Sequence, residues 1–213
     1  MHSPTFLKKT LNNTKKLLTR LISENPILIG GLSLGPIVAI STSLKTGVSL
    51  SLTFAIIFVP IIIISSFLPV KLSKSLRLII CSLLSCLFFV PALYFAQTIF
   101  PEVNDKVGVF LPLMVVNPII SFKSEQISRI KNKLSPALES LKISFGFTLV
   151  MCTVSVIREI IGKGTIWDKP IFNISGNVSF LLPFMGFIII GFLAAAAKKV
   201  RLKYYNNDEE AEG

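Results

Sequence analysis

Between Lys45 and Lys71 the chain carries no charged residue, and residues 54–70 inside that interval read FAIIFVPIIIISSFLPV. About 20 apolar residues in helical form cross a hydrocarbon core some 30 Å thick. Further runs of this kind follow, and composition agrees: 52% of residues are hydrophobic, 15% are charged and the mean hydropathy is +0.72. A soluble domain carries more charge, so the chain reads as an all-α integral membrane protein. The formal net charge of +11 fits this class without any nucleic-acid partner, because membrane proteins concentrate Lys and Arg in their cytoplasmic loops.

Six spans are predicted, over about 27–44, 48–70, 78–100, 107–122, 141–161 and 178–197. Six crossings put the N-terminus, the loops near 71–77 and 123–142, and the C-terminus on one side. The opposite side then holds only Lys45, Lys106, Arg158, Lys163 and Lys169, five of the 22 Lys and Arg residues. The positive-inside rule places both termini in the cytoplasm, with Trp167 as an interfacial anchor on the outer side. Residues 1–24 mix Lys8, Lys9, Lys15, Lys16 and Arg20 with leucines and isoleucines, as a basic amphipathic helix on the inner leaflet does. They lack the continuous apolar core of a cleavable signal. The membrane domain is expected over 25–197, and the tail 198–213, basic then acidic, as a disordered cytoplasmic segment.

Two spans are unusual. The first, NPILIGGLSLGPIVAISTS from Asn25 to Ser43, contains Gly35-Pro36, and the fourth, VGVFLPLMVVNPIISF from Val107 to Phe122, contains Asn117-Pro118. Proline removes a helical hydrogen bond and crowds the preceding turn. In hydrocarbon such a break persists only where protein covers it. Each break leads a set of three spans, about 25–100 and 107–197. Because three is odd, the second set enters from the opposite side, which makes the halves inverted repeats whose breaks meet at the midplane. Asn117, an intramembrane amide, needs partners there and is expected to bridge to carbonyls freed by Pro36. Gly35 is expected to permit a close approach of backbones. Ser41, Thr42 and Ser43 are placed to meet freed carbonyls or to finish the helix.

Little else in the spans carries chemistry. Ionisable groups are nearly confined to Arg158-Glu159, expected as an interfacial pair closing the outer surface, and their scarcity argues against a self-sufficient ion pump. Cys81, Cys86 and Cys152 lie in apolar runs without metal-ligand spacing, and the one histidine is His2. They read as packing residues.

The segments LSLGPIVAISTS (Leu32 to Ser43), PLMVVNPII (Pro112 to Ile120) and REIIGKGT (Arg158 to Thr165) resemble the six-helix membrane subunits of the Rnf electron-transport complex and the sodium-pumping NADH:quinone oxidoreductase, Nqr. The closer likeness is to the E subunit of Rnf and the D subunit of Nqr. It extends over about 25–195, and its signature residues here are Arg158, Glu159, Gly162 and Gly164. The resemblance implies a subunit of an ion-translocating oxidoreductase in a bacterial cytoplasmic membrane, part of the transmembrane electron path or its scaffold. It also implies a sister six-helix subunit, other partner subunits bearing flavins and iron–sulfur clusters, and no activity alone. In the family, one cysteine in each broken span helps to hold a two-iron, two-sulfur cluster. Gly35 and Pro118 stand at those positions here, so no cofactor or metal is expected from the chain's own residues. The alternative is a cluster-free relative acting as a membrane scaffold or small-solute permease.

Overall fold

The computed structural model describes residues 25–103, 110–127, 135–171 and 177–212, with 178 and 203–212 as backbone only. The expected amphipathic segment 1–24 lies outside the described residues. The helices are α1 (Pro26–Gly30), α2 (Leu34–Ile40), α3 (Leu44–Ser65), α4 (Lys74–Ile99), α5 (Pro118–Ile127), α6 (Ser135–Lys163) and α7 (Pro183–Glu212). Short 3-10 turns lie at Leu111–Met114 and Val178–Leu181, and strands β1 (Thr165–Ile166) and β2 (Lys169–Pro170) form a hairpin.

Among the described residues, four helices are long and apolar enough to cross a membrane: α3, α4, α6 and α7, the last over Pro183–Leu202. They match the second, third, fifth and sixth predicted spans, with α7 starting later than expected. The tail expected to be disordered instead continues α7 as helix to Glu212. Neither Pro60 in α3 nor Pro91 in α4 ends its helix.

α3 lies at the centre, against α4, α5 and α6. Its start is fixed by a reciprocal cap, in which the Thr46 N–H donates to Ser43 Oγ (3.3 Å) and the Ser43 N–H to Thr46 Oγ1 (3.1 Å). Leu50, Phe54, Ile57, Phe58 and Ile61 follow at helical spacing and are fully buried. Phe54 stacks on Phe147 of α6 with ring centroids 4.2 Å apart. Lipid is as apolar as these side chains, so helices here associate by close packing, and small residues allow it. Gly47 of α3 is the sharpest case: a methyl group there would stand 2.4 Å from Ser155 Oγ of α6.

Ion pairs identify the two ends of the bundle. At one end Lys45, at the start of α3, reaches Glu102 beyond α4 (3.1 Å) and Asp168 beyond α6 (3.5 Å). At the other, Lys74 of α4 meets Glu125 of α5 (2.8 Å) and Lys123 of α5 meets Glu139 of α6 (3.1 Å). α2 runs into the Lys45 end, whereas α5 runs into the Lys74 end. The two short segments therefore point in opposite directions, α2 packing on α7 and α5 on α3 and α4.

Candidate functional site at the junction of the broken segments

Both predicted breaks exist, but the first is displaced from its expected place. α1 ends at Gly30 and α2 begins at Leu34, with Gly31 (φ 62°) and Ser33 (φ 63°) in left-handed conformation between them. Pro36 is the third residue of α2. The N–H groups of a first turn have no intrahelical partner, so proline costs no hydrogen bond there. Gly35-Pro36 therefore lies inside a helix start, and the break is made upstream. In the second segment the 3-10 turn ends at Met114, and Pro118 opens α5 as its first residue, a favoured proline site.

Each segment thus consists of a short helical piece, a break and a second helix, and the two second helices begin side by side. Ser33 precedes α2 and Asn117 precedes α5, both buried, and Ser33 Oγ donates a hydrogen bond to Asn117 Oδ1. The same oxygen accepts from the Ile119 N–H at 3.0 Å, which caps α5. Asn117 does not bridge to carbonyls freed by Pro36, as the sequence led us to expect; it caps its own helix and ties it to the other break. Asn25 acts alike at α1: its Oδ1 accepts from the Ile27 N–H (3.0 Å) and its Nδ2 donates to Gly146 O of α6 (2.9 Å).

Gly35 and Pro118, each just past one of the bonded pair, are both exposed. A Cβ built on Gly35 meets nothing within 4 Å, and its φ is not positive. Close approach of backbones within this chain therefore does not explain Gly35. The junction presents an open face, where neither residue offers the thiolate that binds iron in such clusters. Cys81 and Cys86 lie on α4 and Cys152 on α6, away from this pair of positions in the chain order of the elements. The donor set at the junction does not fit a cluster held by this chain.

The signature Arg158 to Thr165 forms the second part of the site. Arg158 and Glu159, expected as an interfacial pair closing the outer surface, are both fully buried and, among the described residues, do not bond each other. Arg158 Nη1 donates to Val38 O in α2 and to Ser41 Oγ, each at 2.7 Å. Its Nε donates to Phe180 O (3.1 Å), and its Nη2 to Leu181 O and to Leu182 O (3.2 Å), ahead of α7. The rigid guanidinium fork suits this arrangement of acceptors, and the C-terminal carbonyls of α2 favour positive charge.

Glu159 faces the opposite requirement. Its Oε2 accepts from the Leu44 N–H at the start of α3 (2.6 Å), and its Oε1 accepts from the Asp168 N–H (2.8 Å) and Thr165 Oγ1 (3.1 Å). A carboxylate at a helix N-terminus is favourable. Gly164 (φ 67°) turns the chain into the hairpin, whose two-residue loop Trp167-Asp168 also has positive φ. Gly162 makes room for Leu181, whose side chain would lie 2.7 Å from an added Cβ.

One residue in this framework gave no clear signal in the sequence. Arg77 of α4 is buried, with Nη2 donating to Pro69 O (2.8 Å) and Nη1 to Ser124 O near the end of α5 (3.5 Å). It does for α5 what Arg158 does for α2, pinning the far end of the short helix to the turn ahead of a long one. Ser41 and Ser43, left open between two roles, take an Arg158 bond and the α3 cap respectively.

Comparison with known proteins places this arrangement. The model of the Rnf-Nqr subunit family of membrane proteins matches residues 13–194. The E subunit of the ion-translocating oxidoreductase complex of Buchnera aphidicola is 30% identical over 219 residues, covering 94% of this chain and 92% of that protein. The E subunit of the proton-translocating ferredoxin:NAD(+) oxidoreductase complex of Clostridium ljungdahlii is 29% identical over 182 residues, 84% of each chain. The E subunit of the ion-translocating oxidoreductase complex of Shewanella oneidensis is 27% identical over 145 residues, 68% of this chain and 62% of that one. The chain belongs to the Rnf-Nqr subunit family of membrane proteins.

Proposed function

We propose that this chain is the E-type membrane subunit of an ion-translocating oxidoreductase complex, and that it serves as scaffold at the junction of its broken segments without ligating a cluster there. The observation that carries this reading is the Ser33–Asn117 bond, which brings two helix starts together beneath an open face containing Gly35 and Pro118. Helix N-termini favour negative charge, so the junction retains an electrostatic role after the loss of thiolates. The sister six-helix subunit packs over this face, and flavins and iron–sulfur clusters reside on partner subunits.

The same reading gives six crossings in two inverted halves, with the two short segments as the first and fourth. The opposite directions of α2 and α5 support it, as do the ion pairs that sort helix ends into two groups. Both termini lie in the cytoplasm of a bacterium, because among the described residues Lys71, Lys74, Arg77, Lys123, Lys198 and Lys199 gather toward the Lys74 end, against Lys45, Lys163 and Lys169 at the other.

The test is purification of the complex through a tag on this chain, followed by identification of its partners and assay of iron and acid-labile sulfide. Membrane subunits of an Rnf-type complex should co-purify. This chain, isolated from that complex, should hold no stoichiometric two-iron, two-sulfur signal after reduction in electron paramagnetic resonance. A chain that purifies without partners overturns the subunit reading, and a stoichiometric cluster on the chain alone overturns the scaffold reading.

A further inference from the structure

A groove of about 520 Å³ runs along the outside of the bundle between α4 and α5. At its upper rim, at the Lys74 end, stand Lys74 and Arg77, the first from the opening turn of α4 and the second just beyond it. Its walls below are Leu78, Val116 and Phe122, respectively 49%, 77% and 47% exposed. The rim carries a lysine, a buried guanidinium held by two backbone carbonyls, and the N-terminal turn of a 26-residue helix. Glu125 shares the rim and pairs with Lys74 at 2.8 Å. Lys71 lies in the exposed turn just ahead of α4, and Lys198 and Lys199 are exposed on α7, which runs toward the same end. From Pro118 to Glu125, α5 rises about 10 Å at 1.5 Å per residue. The groove thus joins a cationic rim to an apolar wall over the depth between a lipid phosphate and the upper part of its acyl chain.

We propose that this groove seats an anionic phospholipid, its phosphate between Lys74, Arg77 and the α4 N-terminus and one acyl chain along Leu78, Phe122 and Val116. Charge complementarity selects the occupant: basic pockets between transmembrane helices hold anionic headgroups, and a helix N-terminus adds its own preference for phosphate. A water-soluble phosphate would leave the apolar wall uncovered, and a zwitterionic lipid would gain less from the rim. The inference rests on the membrane setting that family membership gives and not on the redox role; Pro118, at the deep end of the groove, also borders the face proposed for the sister subunit, and the crosslinking arm of the test separates the two occupants.

The test uses the full chain in nanodiscs of phosphatidylcholine containing a minor fraction of phosphatidylglycerol, with retained lipid counted by native mass spectrometry. The parent should retain phosphatidylglycerol above its bulk fraction. Lys74→Gln, an exposed change that leaves the Arg77 bonds in place, should lower that retention about fivefold, the effect of one lost surface charge. Val116→Trp should lower it by filling the groove without altering charge. Lys198→Gln with Lys199→Gln should leave it unchanged. Retention of phosphatidylglycerol by the parent at no more than its bulk fraction overturns the proposal, as does retention unaffected by both Lys74→Gln and Val116→Trp. If the groove holds protein instead, a photo-crosslinker at Val116 in the assembled complex will capture another protein chain rather than lipid, and that result also overturns it.

Discussion

Gly162 and Gly35 belong to the same chain yet answer to different neighbours. A Cβ at Gly162 would lie 2.7 Å and 2.8 Å from two carbons of Leu181, in the turn that Arg158 holds through its carbonyls. The leucine must shift, or the turn must, and overpacking of this kind typically costs about 1–3 kcal/mol. Gly162→Ala should therefore lower the thermal midpoint of the detergent-purified chain, whereas Gly35→Ala, with nothing within 4 Å, should leave it nearly unchanged. The bulkier Gly35→Leu should also spare the isolated chain and should impair only recovery of partner subunits. If Gly35→Leu unfolds the isolated chain, the open face at the junction is wrong. The sequence alone assigned close packing to Gly35, because glycine beside proline in an apolar run allows either meaning. The partner of Gly162 is a residue nineteen positions away, and no local pattern announces it.

At the scale of elements, Arg158 and Glu159 act in opposite directions from adjacent positions of α6. Successive residues on a helix are about 100° apart, so one side chain reaches the end of α2 and the turn before α7 while the other reaches the start of α3. Removing the guanidinium by Arg158→Met would leave carbonyls of Val38, Phe180, Leu181 and Leu182 without their donor. Hydrogen bonds to charged groups contribute about 1.5–3 kcal/mol each, and unpaired buried acceptors add to the loss. Arg158→Met should abolish accumulation of folded chain, and Arg158→Lys should restore it only in part, since an ammonium cannot span both groups of acceptors. Full accumulation of Arg158→Met, measured by fluorescence-detected size exclusion, would sink this clamp. Legibility in the sequence follows the same division. The long helices were readable because hydrocarbon thickness fixes their length, and the existence of both breaks was readable from glycine and proline. The position of the first break was not, because Pro60 and Pro91 sit inside intact helices while the chain turns at Gly31 and Ser33. Serine in the left-handed region is uncommon, and its reward, the bond to Asn117, spans 84 residues. Arg158 and Glu159 looked interfacial because position along the span was visible and the carbonyls and amides waiting for them were not.

The whole molecule shows two kinds of surface. α3 and α6 form the interior, whereas α4 and α7 are each only 17% buried over their most apolar stretch. Leu83, Leu87, Val90 and Tyr94 on α4 are each at least 66% exposed, and Phe192 on α7 is 75% exposed. Such surfaces face lipid or other subunits, and the exposed junction residues Gly35 and Pro118 extend them to the broken segments. Charge differs between the two ends. Among the described residues, the end marked by Lys74, Lys123 and the extension of α7 gathers Lys71, Lys74, Arg77, Lys123, Lys198 and Lys199, whereas the end marked by Lys45 and Trp167 holds Lys45, Lys163 and Lys169. If both short segments cross the membrane, reporters fused after Glu102 or within the Trp167 hairpin will report the outside, and reporters fused after Ile127 or at the C-terminus will report the cytoplasm. The discriminating site lies between α5 and α6. Should residues 110–127 enter and leave on the same side, fusions after Glu102 and after Ile127 would report the same compartment. That outcome would remove the fourth crossing and with it the inverted repeat. Opposite compartments at those two sites, with a cytoplasmic C-terminus, are expected because Phe110 lies in the cluster around Lys45 while Glu125 pairs with Lys74.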